Sequence, residues 1–302
     1  MAVAKHCRVR ALILRANAAR GRDRYVHFCC QELGMQEAYV RGAMNRNSPL
    51  AAPTEAFTYA DLDLFCGRQT YYVDQASYIY PFRQLKTSIE ALSCAAHLGE
   101  LAQDFCQGEE GAGDYHELLL RAFYALESAS RETDWALAVD RCLLLSHVAE
   151  LRLLALGGYG LNLEQKRFAG SPPAAFDFQQ FGFLDEEQTR LEEARYAALR
   201  GAATAAQARY MGRGGQRGEQ SGPVLLRLSP ACYQAIVHCF ESPLERLFQF
   251  RAEGELAQRL GTFASRYLGQ VSEKSYHRLD YVQSLVGLQK DLQPRDRRGG
   301  DL

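Results

Sequence analysis

Arg41-Gly42-Ala43-Met44-Asn45-Arg46-Asn47-Ser48, leading on to Leu62-Asp63-Leu64-Phe65-Cys66-Gly67-Arg68, is the stretch that decides the fold. Short alternating segments separated by glycine- and asparagine-rich turns are the pattern of strands that close on themselves. Upstream, Arg8 to Leu14 alternates: Val9, Ala11 and Ile13 share one face, and Arg8, Arg10, Leu12 and Leu14 the other. Asn17 to Asp23 reads as a loop and Tyr25 to Cys30 as a second strand. Leu33-Gly34 turns into a third strand from Gln36 to Arg41. Beyond a loop ending near Pro53, Phe57 to Phe65 sets Asp61 and Asp63 outside and Leu62 and Leu64 inside, and Thr70 to Tyr80 adds a tyrosine-rich fifth strand. Five short strands in about eighty residues suit a small closed barrel of the OB-fold kind.

Charge gives this barrel a direction. Residues 1–50 carry nine Lys or Arg against three Asp or Glu, although the whole chain is −1. A cationic barrel of this size most often meets a nucleic-acid backbone, because each phosphate contact releases condensed counterions. Residues 84–204 are acidic, with ten basic against nineteen acidic side chains, and residues 205–302 are basic again, with fourteen against ten. The acidic middle also reads as an ordinary solvated surface.

At Pro81 the period changes. Apolar residues recur at three and four through Leu85, Leu92, Ala95, Leu98 and Leu101, and again through Leu118, Leu119, Ala122 and Leu126. Trp135 to Leu156 is the strongest helix. It carries Asp140, Arg141, Glu150 and Arg152, so it is a core helix and not a membrane span, and Gly157-Gly158 ends it. From Asn162 to Pro223 the pattern breaks down, with an exposed helix over Asp185 to Leu199 and a Gly-, Arg- and Gln-rich run from Met211 to Gly222. Arg213-Gly214-Gly215 within that run is superficially like single-strand-binding RGG segments, with a plain linker as the alternative. Helical spacing returns over Pro230 to His238 and Leu244 to Gly287, before a charged tail.

With 302 residues and 47% hydrophobic side chains, the chain has material for a sizeable core. No run of about eighteen uncharged apolar residues is present, which makes a cytoplasmic protein without a membrane the expectation. Nine scattered cysteines read as reduced thiols. Cys94 with His97, and Cys232 with His238 and Cys239, are the candidate metal pairs, each without a second pair nearby. Gly157-Gly158-Tyr159-Gly160 follows a helix and is no dinucleotide fingerprint, and there is no P-loop, so no catalytic activity is expected.

In order and spacing, Glu32-Leu33-Gly34, Arg41-Gly42-Ala43, Leu62-Asp63-Leu64, Gly67-Arg68, Leu98-Gly99-Glu100-Leu101 and the run from Glu150 to Tyr159 resemble the bacterial RecO family of recombination mediators. The resemblance implies an α+β fold, with an OB-fold barrel over 1–80 and a helical domain over 81–159 and 223–302. An insertion over 160–222 stands where many family members carry a zinc finger. It implies binding of single- and double-stranded DNA, annealing of complementary strands and partnership with RecR. Through that partnership it implies help to RecA on DNA covered by single-stranded DNA-binding protein. Residues 160–222 hold no cysteine, so zinc and other cofactors are not expected, and the insertion should be a degenerate, cysteine-free version.

Annealing needs only cationic neutralisation and sequence-tolerant contacts. Arg8, Arg10, Arg15, Arg20, Arg22, Arg24, Arg41 and Arg46 are the candidate DNA-binding cations. Tyr25, Tyr39, Phe57 and Tyr71 are the candidate stacking platforms, each with a place in the barrel core as its alternative. The competing reading of the whole is a helical adaptor whose barrel docks protein and not DNA.

Overall fold

Alternation at the amino terminus produces five strands: β1 (His6–Ala18), β2 (Arg24–Cys30), β3 (Gly34–Val40), β4 (Thr58–Cys66) and β5 (Tyr71–Tyr80). A computed structural model describes residues 6–68, 70–106, 111–163, 171–210 and 224–284, with backbone alone over 200–210. The strands close into a barrel in the order β1-β2-β3-β5-β4, with β4 pairing back onto β1, which leaves no long free edge. All neighbours are antiparallel except β3 and β5, which meet in parallel through Ala38↔Tyr71 and Tyr39↔Tyr72. Val9, Ala11, Ile13, Val26, Phe28, Leu62 and Leu64 fill the interior.

Strand β1 runs further than its sequence pattern predicts, because Asn17 and Ala18 pair with Tyr25 and Arg24 in a long hairpin. A bulge between Ile13 and Arg15 breaks its alternation, so Leu14 is buried against the helices while Arg15 next to it stays exposed. Arg8 and Arg10 are solvated on the outer face, whereas Leu12 and Leu14, with the same parity, are covered by the helical part.

The helical part comprises α1 (Arg83–Thr87), α2 (Ile89–Phe105), α3 (Ala112–Ala129), α4 (Trp135–Leu156), α5 (Glu186–Tyr210), α6 (Pro230–Glu241), α7 (Leu244–Leu247) and α8 (Gly254–Val271). Asp134 caps α4 by accepting from the amides of Ala136 and Leu137. Helix α4 is buried on most sides between α2, α3, α6 and α8. The helical spacing over Leu244 to Gly287 is interrupted twice, after α7 and after α8. At the first break Arg141 donates to the carbonyls of Phe248 and Phe250, at 3.1 and 2.6 Å, so the uncoiled backbone keeps its hydrogen bonds.

The outer face of the barrel packs into the helical core, which is separate from the barrel interior. Leu12, Leu14, Cys29 and Phe82 belong to the same buried cluster as the helical leucines. Glu127 of α3 latches the seam: it accepts from Tyr80 Oη at 2.7 Å and from the α1 amides of Gln84 and Leu85 at 3.0 and 3.4 Å. Phe82, at φ 43°, turns its ring between Tyr80, Phe123 and Tyr124.

In the insertion, β6 (Ala175–Asp177) and β7 (Gly182–Leu184) form a small sheet with β8 (Leu225–Arg227), which lies just past the expected end of the insertion at 222, in the order β7-β6-β8. An aromatic cluster holds it: Phe176 meets Phe178, Phe183 and, from α8, Phe263 at ring separations of 5.0 to 5.1 Å. Asp177 closes the β6–β7 turn by accepting from the amides of Gln179 and Gln180, and Tyr196 of α5 donates to it at 3.1 Å. Met211 to Gly222, with Arg213-Gly214-Gly215, lies outside the described residues.

Candidate nucleic-acid interface

Register builds the site. Residues directly opposite each other on paired strands share a face, and one row of such neighbours crosses the whole barrel. Asn17 faces Tyr25, Tyr25 faces Tyr39, Tyr39 faces Tyr72, Tyr72 faces Phe65 and Phe65 faces His6. The row lies outside, because its strand neighbours Val26, Ala38, Val40, Leu64 and Val73 are buried inside. Consecutive rings touch: Tyr25–Tyr39 at 6.3 Å, Tyr39–Tyr72 at 6.1 Å, Tyr72–Phe65 at 6.4 Å and Phe65–His6 at 5.2 Å. The two tyrosine pairs meet edge to face and the other two are tilted. Tyr25 also meets His27, whose Nδ1 lies 2.9 Å from Glu37 Oε1.

Two loops next to the strands of Tyr25 and Tyr39 carry cations. Arg20 and Arg22 are exposed in the β1–β2 turn, and Arg41 and Arg46 are exposed in the loop after β3. The loops are tied together by Met44 N donating to Arg22 O at 2.9 Å and by Arg22 Nη1 donating to Asn45 Oδ1 at 3.4 Å. Asp23 adds two shorter bonds, accepting from Tyr39 Oη at 2.5 Å and from Gly42 N at 2.6 Å. Gly42 takes φ 62°, which turns the chain so that its amide meets that carboxylate. The amide of Gly42, then the phenol of Tyr39, hold the Asp23 carboxyl below the ordinary carboxylate range. In return the Asp23 carboxylate pushes the Tyr39 phenol up. Arg41 lies over the ring of Tyr72, 5.0 Å from its centroid.

Gly67 makes room for that ring. A Cβ there would sit 2.9 Å from Tyr72 Cε2 and 2.7 Å from the carbonyl oxygen of Thr70, so the β4–β5 turn closes only without a side chain. The turn also carries Arg68, which is exposed.

Other arginines named from the sequence lie elsewhere. Arg24 is turned into the protein, donating to Ala51 O at 2.6 Å and Thr54 Oγ1 at 2.9 Å, where it pins the long β3–β4 loop. Arg8 and Arg10 sit on the far half of β1, opposite Asp63 and Asp61, and approach those carboxylates at 3.5 to 3.7 Å. Arg15 is exposed beside Asn17, toward α2, in the row of His27 and not of Tyr25.

Two of the four candidate stacking aromatics lie off the aromatic row, Tyr71 in the barrel-core place that the sequence left open for it. Tyr71 has inward parity and packs on the barrel core. Phe57 packs on the helical core, with its ring 5.7 Å from Phe123. Tyr72, Phe65 and His6 take their places. The sequence carried one signal for this: Tyr71 has the parity of Val73, and Tyr72 the opposite.

The histidines of the candidate metal pairs make internal hydrogen bonds. His97 Nε2 meets Glu150 Oε2 at 2.9 Å, and His238 bonds through both ring nitrogens, to Leu247 O and Ser242 Oγ. Among the described residues no group of three or more His, Cys, Asp or Glu is placed to hold a metal ion. No described helix is long and apolar enough to cross a membrane.

Comparison with known proteins addresses the family of the whole chain. Residues 1–82 match the family model described as Recombination protein O N terminal, and residues 86–280 the model described as Recombination protein O C terminal. The chain is 24% identical over 266 residues to the DNA repair protein RecO of Acetivibrio thermocellus, covering 87% of this chain and 90% of that one. It is 23% identical over 277 residues to the RecO of Symbiobacterium thermophilum, covering 92% and 96%. With both family models matched in order and relatives aligned nearly end to end, the chain belongs to the RecO family of DNA repair and recombination proteins.

Proposed function

We propose that the protein is a recombination mediator that binds DNA through the outer face of its barrel and anneals complementary strands. The observation that carries this reading is the row Tyr25, Tyr39, Tyr72, Phe65, His6 with Arg41 over Tyr72 and the Arg20, Arg22 and Arg46 loops beside it. A row of rings gives unstacked bases a π surface without reading their edges, and the arginines neutralise backbone phosphates. Both contacts tolerate sequence, as annealing of any complementary pair requires. Duplex binds more weakly on this surface, since its bases are already stacked and only the cations remain useful. No residue is assigned a catalytic role.

Family membership supports the remaining expectations: RecR as a partner, and RecA loading assisted on strands covered by single-stranded DNA-binding protein. The test is the salt dependence of binding to a fluorescent single strand. A steep fall in affinity with rising salt supports the reading. No binding at low salt contradicts it and leaves a helical adaptor whose barrel docks protein.

A further inference from the structure

Asp23 is an acid set among cations on the face that meets DNA, and simple electrostatics makes it a liability there. Its geometry argues otherwise. One carboxylate oxygen accepts from Tyr39 Oη and the other from Gly42 N, at 2.5 and 2.6 Å. Its own backbone carbonyl accepts from Ala19 N at 2.9 Å, which closes the β1–β2 turn. A single residue therefore fixes three parts of the interface: the turn carrying Arg20 and Arg22, the second ring of the aromatic row, and the left-handed residue from which Arg41 departs. Arg41 is covalently next to Gly42, so holding the Gly42 amide holds the backbone from which the Arg41 side chain reaches Tyr72.

We propose that Asp23 is a positioning residue for single-strand binding, setting the Tyr39 ring and the Arg41 loop, so that truncating this acid weakens DNA binding. This rests on the reading of the barrel face as the DNA site. The predicted sign is opposite to that of a bystander acid, whose removal relieves repulsion of phosphates and tightens binding. Asn keeps a carbonyl oxygen for the Gly42 amide and an amino group that donates to the Tyr39 hydroxyl, so it preserves the geometry without the charge.

The experiment measures affinity for an oligothymidylate at fixed moderate salt with the full chain, for wild type, Asp23→Ala, Asp23→Asn, Arg41→Ala and the Asp23→Ala/Arg41→Ala double variant. Asp23→Ala is expected to weaken binding roughly three- to tenfold, by loss of two charge-assisted bonds that order the loop. Asp23→Asn should return to wild-type affinity or exceed it. In the Arg41→Ala background the Asp23→Ala loss should shrink, because one of the two groups it positions is gone. Equal or tighter binding by Asp23→Ala overturns the proposal, as does a loss of the same size with and without Arg41. If Asp23→Ala fails to fold, Tyr39→Phe removes one of the two bonds and keeps the ring. A weakened Tyr39→Phe supports the proposal and an unchanged one overturns it. Wild type that binds no oligonucleotide overturns the DNA reading and this inference together, whereas binding that is indifferent to Asp23 overturns the inference alone.

Discussion

The guanidinium of Arg41 rests 5.0 Å from the centre of the Tyr72 ring, on a tyrosine that touches Tyr39 on one side and Phe65 on the other. One pair thus joins the two chemistries a single strand needs, a cation for phosphate and a ring for a base. Tyr72→Ala should weaken single-strand binding by about 1–3 kcal/mol while leaving the salt slope nearly unchanged. Fluorescence anisotropy titrations at several salt concentrations measure both quantities. Tyr71→Ala should instead lower thermal stability, since Tyr71 packs on the barrel core.

The arginines divide into groups by location. Replacing Arg22 or Arg46 by Ala should lower the salt slope by about one unit for each phosphate that is no longer neutralised. Replacing Arg8 or Arg10 should change it less, because each faces a carboxylate, Asp63 or Asp61, whose charge already offsets it. Arg24→Ala should act on folding, releasing the β3–β4 loop that its bonds to Ala51 and Thr54 hold. Slopes of log affinity against log salt, together with melting temperatures, separate the three classes.

Glu127 joins barrel to helices. Glu127→Ala leaves Tyr80 Oη and the amides of Gln84 and Leu85 without their acceptor. A loss of about 2–4 kcal/mol is expected from groups left unpaired at a largely buried seam. Urea unfolding checks this, and Glu127→Gln, which keeps an acceptor oxygen, should recover part of the loss.

Glu150 should make the protein acid-sensitive. Burial acts to raise its carboxyl, but the imidazoles of His147, 3.8 Å away, and His97, 2.9 Å away, outweigh it and bring the value down to about 2. A carboxyl depressed in the folded state contributes stability that is present above its unfolded value near 4.5 and is lost as pH falls toward about 2. Wild type should lose stability over that window more steeply than Glu150→Gln, measured by urea unfolding at stepped pH.

Much of the barrel was legible in the sequence because pleat alternation is local: Val9, Ala11 and Ile13 inside, with Asp61 and Asp63 outside, follow from counting by two. The site was less legible because it is made by pairing. Nothing local shows that Tyr39, Tyr72 and Phe65 are neighbours, or that Asp23 reaches Gly42 across nineteen residues. The bulge at Ile13/Arg15 defeats simple counting, since it places two successive residues outside the barrel. Arg24 looked like its neighbours in a basic loop, and only the return of Ala51 and Thr54 toward it turns it into a structural side chain. In the insertion, the aromatic cluster needs Phe263 from α8, far along the chain from Phe176.

The most direct test is the annealing of two complementary oligonucleotides by wild type and by a variant carrying Arg20→Ala, Arg22→Ala, Arg41→Ala, Arg46→Ala and Tyr72→Ala, with Arg24 kept so that the barrel loop stays anchored. The account predicts rapid annealing by wild type and near-background annealing by a variant that melts at a similar temperature. Annealing by the variant at the wild-type rate would contradict it, because the strands would then be meeting on some other surface.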